Sequence, residues 1–157
     1  MRIGIIGAGR IGGGLAEQLT RSGHEVLLSF SRETQRLEEL AQRLGPAAAV
    51  GTVEEAARFG PVVVVSTPWR LIDDALAAAG DLSGQIVIDT TNHFGAGGIE
   101  DLRGRTAARH NAGRMPGALL VKSFNTLTSG FQAEASLRQE DRVVQFLTGD
   151  DEKAKEV

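Results

Sequence analysis

The chain has 157 residues, of which 41% are hydrophobic and 24% charged. This length suits one domain with its own hydrophobic core and is too short for two domains of ordinary size. Its net charge of −3 excludes a chain-wide attraction to nucleic acid or to an anionic membrane. The absence of cysteine excludes disulfides, thiolate metal sites and a cysteine nucleophile. We expect a cytoplasmic protein, because the sequence opens on a strand-like run without a signal peptide and contains no membrane-spanning segment.

Apolar runs alternate with helical patterns through the first half of the chain. Strands are predicted at residues 3–6, 25–30, 47–50, 62–65 and 85–89. Helices are predicted from the glycine-rich turn to about residue 22, over 36–44, briefly after a capping box at 52–55, and over about 69–79. This alternation predicts parallel βαβ units and a single-domain, doubly wound (Rossmann-type) α/β fold with a mostly parallel sheet over residues 1–157. The run of four valines at 62–65 is typical of a central strand that is covered on both faces.

The second half of the chain is less regular. Residues 92–105 are rich in glycine and are predicted to form a loop. Further strands are expected at 118–124 and 143–147, with a helical pattern between them. Residues 150–157 are expected to open a charged helix of about two turns.

The turn after the first strand matches the pattern G-x-G-x-x-G and opens the first helix, which is the context that a dinucleotide-binding site requires. In such a turn the first glycine permits the tight bend, the second admits a pyrophosphate, and the third lets the helix press onto the strand. The free N–H groups of the helix would then face the phosphates. The predicted contacts are Gly7, Ala8, Gly9, Arg10, Ile11 and Gly12.

The end of the second strand indicates which dinucleotide is bound. NAD-binding units carry an acid about 20 residues after the glycines, whereas residues 29–32 of this chain contain none. Ser31 and Arg32 stand there instead, and Arg36 follows four residues later, a spacing that places both arginines on one helical face. A hydroxyl and a guanidinium would hold the 2′-phosphate that distinguishes NADP, so NADP(H) is favoured. The alternatives are that Ser31 caps the next helix and that the arginines are plain surface charges.

Three segments turn polar where strands end, at residues 66–69, 89–93 and 122–126, and these ends meet at one edge of a parallel sheet. Trp69 either packs in the core or lines the nicotinamide pocket, and Asp89 either caps its turn or binds a substrate hydroxyl. His93 is either a general acid or a turn residue, while His110 lies in a basic segment that we expect to be exposed. We assign no catalytic residue and no metal site, because the sequence offers no acid pair, no Ser/His/Asp set and no cluster of ligands.

The chain resembles the NADPH-dependent coenzyme F420 reductases. The likeness is carried by GAGRIGGGLAEQLTRSGHEVLLSFSR, VVVVSTPW, VIDTTNHF, LLVKSFNTL and LTGDDEKAKEV. The resemblance implies that the glycine turn binds pyrophosphate and that Ser31, Arg32 and Arg36 hold the 2′-phosphate. The cofactor contacts that it implies at the carboxyl edge of the sheet are Ser66, Thr67, Pro68 and Ser123, to which we add Asn92.

The resemblance also implies a small-molecule redox acceptor, either F420 or a flavin, while the net charge already leads us to expect no nucleic-acid or membrane partner. Members of this family continue with a helical segment that completes the deazaflavin pocket and often makes a dimer contact. The present sequence stops before that segment, which leaves a homodimer open. Arg10 and Ser123 stand where the family often has smaller or neutral residues.

Three functions therefore remain open at this point. The first is hydride transfer between NADP(H) and a deazaflavin or flavin. The second is a small-molecule NADPH dehydrogenase or reductase of the β-hydroxyacid or imine-reductase kind, although such enzymes usually need a large helical substrate domain. The third is a module that senses NADP without catalysis.

Overall fold

The computed structural model describes residues 1–30 and 33–156, and strands and helices alternate through this part of the chain. The described strands are β1 (Arg2–Ile6), β2 (Glu25–Ser29), β3 (Ala48–Val50), β4 (Val62–Val65), β5 (Ile86–Asp89), β6 (Phe94–Gly95), β7 (Gly98–Ile99), β8 (Leu119–Ser123) and β9 (Leu147–Gly149). The described helices are α1 (Arg10–Arg21), α2 (Thr34–Leu44), α3 (Val53–Arg58), α4 (Ile72–Ala79), α5 (Ala107–Ala112) and α6 (Ser129–Ala135). Short 3₁₀ turns cover Gly45–Ala47, Trp69–Leu71 and Lys153–Lys155.

The main sheet has the strand order β3-β2-β1-β4-β5-β8-β9 among the described residues. Every neighbouring pair is parallel except β8 with β9, so the predicted doubly wound, mostly parallel fold is confirmed. The strand order reverses between β1 and β4, and there the backbone N–H of Ser66 donates to the carbonyl of Ile6 at 2.8 Å. Ligands of open α/β sheets bind beyond the strand ends at such a reversal.

Helices cover the centre of the sheet on both faces. Helices α1 and α2 pack on the face that carries Ile5 and Val64, whereas α3 and α4 pack on the opposite face, which carries Val63 and Val65. The four valines of β4 are 0–2% exposed, as predicted for a central strand. Among the described residues, no helix has the length and apolar character needed to cross a bilayer.

The structure corrects several predictions for the second half of the chain. The strand expected at residues 143–147 is instead β9, which starts at Leu147 and pairs antiparallel with β8. Gly149 permits this pairing, because a Cβ atom there would lie 2.7 Å from the carbonyl oxygen of Leu120. Val144 and Phe146, whose apolar character prompted the prediction, are 70% and 67% exposed.

Three smaller differences concern a hairpin, a short helix and a 3₁₀ turn. The predicted loop at residues 92–105 contains the two-stranded antiparallel hairpin β6–β7. Helix α5 had not been predicted, although the Thr106 side chain caps it by accepting a hydrogen bond from the Arg109 backbone. The charged helix expected at residues 150–157 is only the 3₁₀ turn Lys153–Lys155 within the described residues.

The predicted capping box at the start of α3 is confirmed. The Thr52 hydroxyl accepts from the Glu55 backbone N–H at 3.1 Å, and the Glu55 carboxylate accepts from the Thr52 N–H at 2.7 Å. We expect Thr52→Ala to lower the free energy of unfolding by about 1 kcal/mol, because a backbone donor of α3 loses its partner. Chemical denaturation checks this, with Thr52→Ser as the control that retains the hydroxyl. Equal losses in both variants would contradict the capping role.

Candidate functional site

The glycine-rich turn joins β1 to α1 in a form that side chains would obstruct. Gly7 has φ +99°, and a Cβ atom on it would lie 2.6 Å from the carbonyl oxygen of Ser66. A Cβ atom on Gly12 would overlap the carbonyl oxygen of Gly7. The turn therefore needs glycine at both positions, the first for its backbone conformation and the second for the close approach of α1.

The N-terminus of α1 lies open beside this turn. Gly9 is the N-cap, no side chain caps the helix, and the first turn contains no acidic residue. A Cβ atom on Gly9 would meet nothing within 4 Å, so its Cα faces open space. Arg10 is exposed, whereas Ala8 and Ile11 pack against the core and hold the turn in place. The first N–H groups of a helix have no partner within it, so this end is suited to an anion.

A groove of about 380 Å³ runs from the glycine turn across the switch point of the sheet. It collects residues from three loops that are far apart in sequence. The lining residues are Gly7 and Gly9, then Phe30, Glu33 and Arg36 from the end of β2 and the start of α2, and Ser66, Pro68 and Leu71 from the segment after β4. The structure thus brings five of the predicted cofactor contacts together along a single groove, namely Gly7, Gly9, Arg36, Ser66 and Pro68.

The end of the groove at α2 carries both signs of charge. The Nε atom of Arg36 lies 3.7 Å from a carboxylate oxygen of Glu33, and both side chains are largely exposed. Among the described residues, the N-cap of α2 is Glu33. Ser31 and Arg32 lie outside the described residues, so their predicted role stays a prediction. Sequence reasoning missed Glu33, which stands one position beyond the window searched for an acid.

The segment after β4 borders the same groove. The Thr90 hydroxyl donates to the Ser66 hydroxyl at 2.9 Å, which ties this segment to the end of β5. The Thr67 side chain is 5% exposed, and its hydroxyl is the only fully buried side-chain polar atom without a hydrogen-bond partner among the described residues. A buried hydroxyl without a partner is costly unless another group satisfies it. Thr67 therefore fits a site in which a ligand supplies the missing hydrogen bond.

A buried ion pair links the ends of β5 and β8. The Lys122 ammonium lies 3.2 Å from the Asp89 carboxylate and also donates to the Thr91 carbonyl, and Asp89 is fully buried. Burial lowers the pKa of Lys122, and attraction to Asp89 only partly opposes that shift. Asp89 also accepts from the Thr91 backbone N–H at 2.8 Å and from the Asn111 side chain at 2.8 Å. Asp89 thus caps its turn, as one of the two interpretations predicted, and nothing in the sequence had pointed to Asn111.

The remaining two predicted contacts, Asn92 and Ser123, lie beside this ion pair. The Asn92 side chain donates to the Asn125 carbonyl at 2.9 Å and accepts from the Asn125 side chain at 3.2 Å. The Ser123 hydroxyl donates to the Phe146 carbonyl at 2.9 Å, and the residue is 2% exposed. These bonds fasten the turns after β5 and β8 to one another and to the segment before β9.

Trp69 is 5% exposed and is the centre of a second polar cluster. Its indole N–H donates to the Glu100 carboxylate at 2.7 Å, and the Arg114 guanidinium lies 4.8 Å from its ring centroid. The ring of His93 stands edge-on to the indole with the centroids 6.1 Å apart, and the ring of His110 is tilted by 42° with the centroids 5.5 Å apart. His110 is half-buried rather than exposed, because α5 carries it against the tryptophan. Trp69 therefore packs within this cluster.

The chain matches a protein family through the region that contains the groove. The family model described as NADP oxidoreductase, coenzyme F420-dependent, matches residues 2–93, which is more than half of the 157 residues. This range includes the glycine turn, α2 and the ends of β4 and β5. The chain has no match among curated proteins.

Solved structures resemble the chain over a longer range. A hypothetical protein from Sinorhizobium meliloti is 31% identical with a TM-score of 0.87, and the likeness covers 98% of this chain and 75% of that one. A candidate F420-dependent NADP reductase from Arthrobacter is 23% identical with a TM-score of 0.85, covering 99% and 76% of the two chains.

A reductive aminase from Aspergillus terreus, solved with NADPH and ethyl levulinate, is more distant. It is 21% identical with a TM-score of 0.64, and the likeness covers 83% of this chain but 42% of the aminase. Both this likeness and the one to the Arthrobacter protein show a shared fold. The family-model match carries the assignment, and the chain belongs to the family of coenzyme F420-dependent NADP oxidoreductases.

Proposed function

We propose that the protein transfers hydride between NADP(H) and a deazaflavin (F420) or flavin acceptor. The observation that carries this proposal is the groove in which the uncapped N-terminus of α1 and the guanidinium of Arg36 lie along one path. A dinucleotide with an extra phosphate needs these two features, a cradle of backbone N–H groups and a cation some distance away. Membership in the NADP oxidoreductase family supports the same cofactor.

Each part of the cofactor would have its own set of residues. The turn from Gly7 to Gly12 would hold the pyrophosphate, since no side chain fills the space in front of Gly9. Arg36, with Ser31 and Arg32, would hold the 2′-phosphate by charge-assisted hydrogen bonds. The contacts on the nicotinamide side would be Ser66, Thr67, Pro68, Asn92 and Ser123. The unpartnered Thr67 hydroxyl supports this arrangement, because a bound ligand would supply its missing hydrogen bond.

The cofactor carries the hydride, so the protein would bind and orient the cofactor and the acceptor and would exclude water from the site. The Asp89–Lys122 pair and the Asn92–Asn125 pair hold the turns after β5 and β8 in place. We assign no proton donor to the chain, because the buried titratable groups at this edge, Asp89 and Lys122, form an ion pair with each other.

An acceptor screen tests the proposal. The purified protein is mixed with NADPH and, separately, with coenzyme F420, FMN or FAD, and loss of the reduced-nicotinamide absorbance is followed. We expect turnover with at least one of the three acceptors. If NADPH binds but only imines or small carbonyl compounds are reduced, the chain acts as a small-molecule reductase. If NADPH binds and no acceptor turns over, the sensing module is the better description.

The cofactor preference gives a separate prediction. We expect Arg32→Ala to weaken NADPH binding by about 1.5–3 kcal/mol, because a charge-assisted phosphate contact is lost, and to leave NADH binding nearly unchanged. Calorimetric titration of both cofactors measures the difference. Arg43→Ala is the control, since it removes a charge from the last turn of α2, outside the groove. Equal losses for NADPH and NADH would refute the 2′-phosphate assignment.

A further inference from the structure

Glu33 brings a carboxylate into the groove proposed for the 2′-phosphate. It lines that groove together with Gly9 and Arg36, and its carboxylate lies 3.7 Å from the Arg36 guanidinium. Although Glu33 is the N-cap of α2, its side chain makes no capping hydrogen bond. A capping hydrogen bond therefore does not account for this carboxylate.

We infer that Glu33 is a specificity-determining residue that weakens the preference for NADP(H) over NAD(H), an inference that rests on the proposed function. A carboxylate in the groove repels a 2′-phosphate and competes with it for the Arg36 guanidinium. The same carboxylate can accept hydrogen bonds from the ribose hydroxyls of NAD(H), as acids near this position do in NAD-binding units. The site thus combines an arginine that favours one cofactor with a glutamate that favours the other.

The size of the effect follows from the exposure of the pair. The side chains of Arg36 and Glu33 are 76% and 66% exposed, so water and salt screen their charges. We expect neutralising Glu33 to raise the ratio of NADPH to NADH affinity by about three- to tenfold at low ionic strength. The gain should shrink as salt is added, because it comes from a charge.

Glu33 also has a simpler role available. A negative charge at a helix N-terminus stabilises the helix through its dipole. If this were its only role, neutralising Glu33 would change the thermal stability of the protein and leave the ratio of NADPH to NADH affinity unchanged. The ratio of affinities therefore separates the two roles.

The experiment compares the wild-type chain with Glu33→Gln and Glu38→Gln. Glu38 is an exposed residue of α2 that lies outside the groove, so its variant makes the same change in net charge on the same helix. Dissociation constants for NADPH and NADH are measured by calorimetry at low and at high salt. We expect the affinity ratio to rise in Glu33→Gln and to stay at the wild-type value in Glu38→Gln.

The outcomes separate this inference from the proposed function. If wild-type protein binds neither cofactor, the proposed function fails. If wild-type protein binds NADPH but both variants keep its affinity ratio, or both shift it equally, the inference about Glu33 is overturned and the proposed function stands.

Discussion

Lys122→Met is expected to lower the free energy of unfolding by about 3–5 kcal/mol, because it leaves the Asp89 carboxylate buried without its counter-charge. Asp89 is fully buried, and the Lys122 side chain is only 10% exposed. Methionine has a similar length and keeps the packing of the aliphatic stem, so the loss reports on the charge. Chemical denaturation followed by the fluorescence of Trp69, the single tryptophan, measures it.

Two further variants show whether the loss in Lys122→Met comes from the unpaired charge. Asp89→Asn combined with Lys122→Met removes both charges and should recover much of the lost stability, because no unpaired ion remains in the interior. Lys153→Met changes an exposed lysine and should alter stability by no more than about 0.5 kcal/mol. A loss of less than about 1 kcal/mol in the Lys122→Met variant would show that the buried pair does not hold these turns.

The pH dependence of the pair has a definite sign. The folded protein lowers the pKa of Lys122, so between that pKa and the usual lysine value the unfolded chain binds more protons than the folded one. The contribution of this group to stability therefore rises with pH across that window and is constant below it. The stability difference between wild type and Lys122→Met should accordingly grow towards alkaline pH.

Gly9→Ala is expected to weaken NADPH binding by about 1.5–3 kcal/mol, or roughly 10- to 150-fold, while the protein stays folded. A Cβ atom on Gly9 would meet nothing within 4 Å, and the φ of Gly9 is negative at −76°, so the fold has room for the methyl group. That methyl group would occupy the space in which we propose that the pyrophosphate approaches the backbone. Calorimetric titration with NADPH and a thermal melt together test both halves of this prediction.

Gly14→Ala is the matched control for this substitution. Gly14 also has open space where a Cβ atom would stand, but it lies inside α1 rather than at its N-terminus. Alanine there should stabilise the helix by up to about 1 kcal/mol and leave NADPH affinity unchanged. If Gly9→Ala binds NADPH as tightly as the wild type, the pyrophosphate does not lie against this turn.

The predictions that agree with the structure rest on local chemistry. The four-valine run, the capping box at Thr52 and the alternation of strands with helices all depend on residues that are close in sequence. The glycine turn is of the same kind, because the bend at Gly7 and the helix start at Gly9 follow directly from the residue types. Such signals can be recognised before any tertiary contact is known.

The incorrect strand prediction for residues 143–147 shows the limit of predicting strands from local sequence. An apolar run has the composition of a strand, but a strand exists only where a neighbour offers hydrogen bonds. The partner in this case is β8, and the pairing register begins at Leu147 opposite Ser123. A sequence pattern cannot supply that register.

For the first half of the chain, the order of elements, the parallel sheet and the position of the glycine turn could be predicted from the sequence, because periodicity and backbone freedom are properties of neighbouring residues. The folded chain was needed to show which distant side chains meet, such as Asp89 with Lys122 and Asn111. The same is true of Trp69, whose contacts with Glu100 and Arg114 join residues from three segments. The physical reason is that the energy of a charge or a polar group depends on its burial and its partners, which are set when the strands find their register.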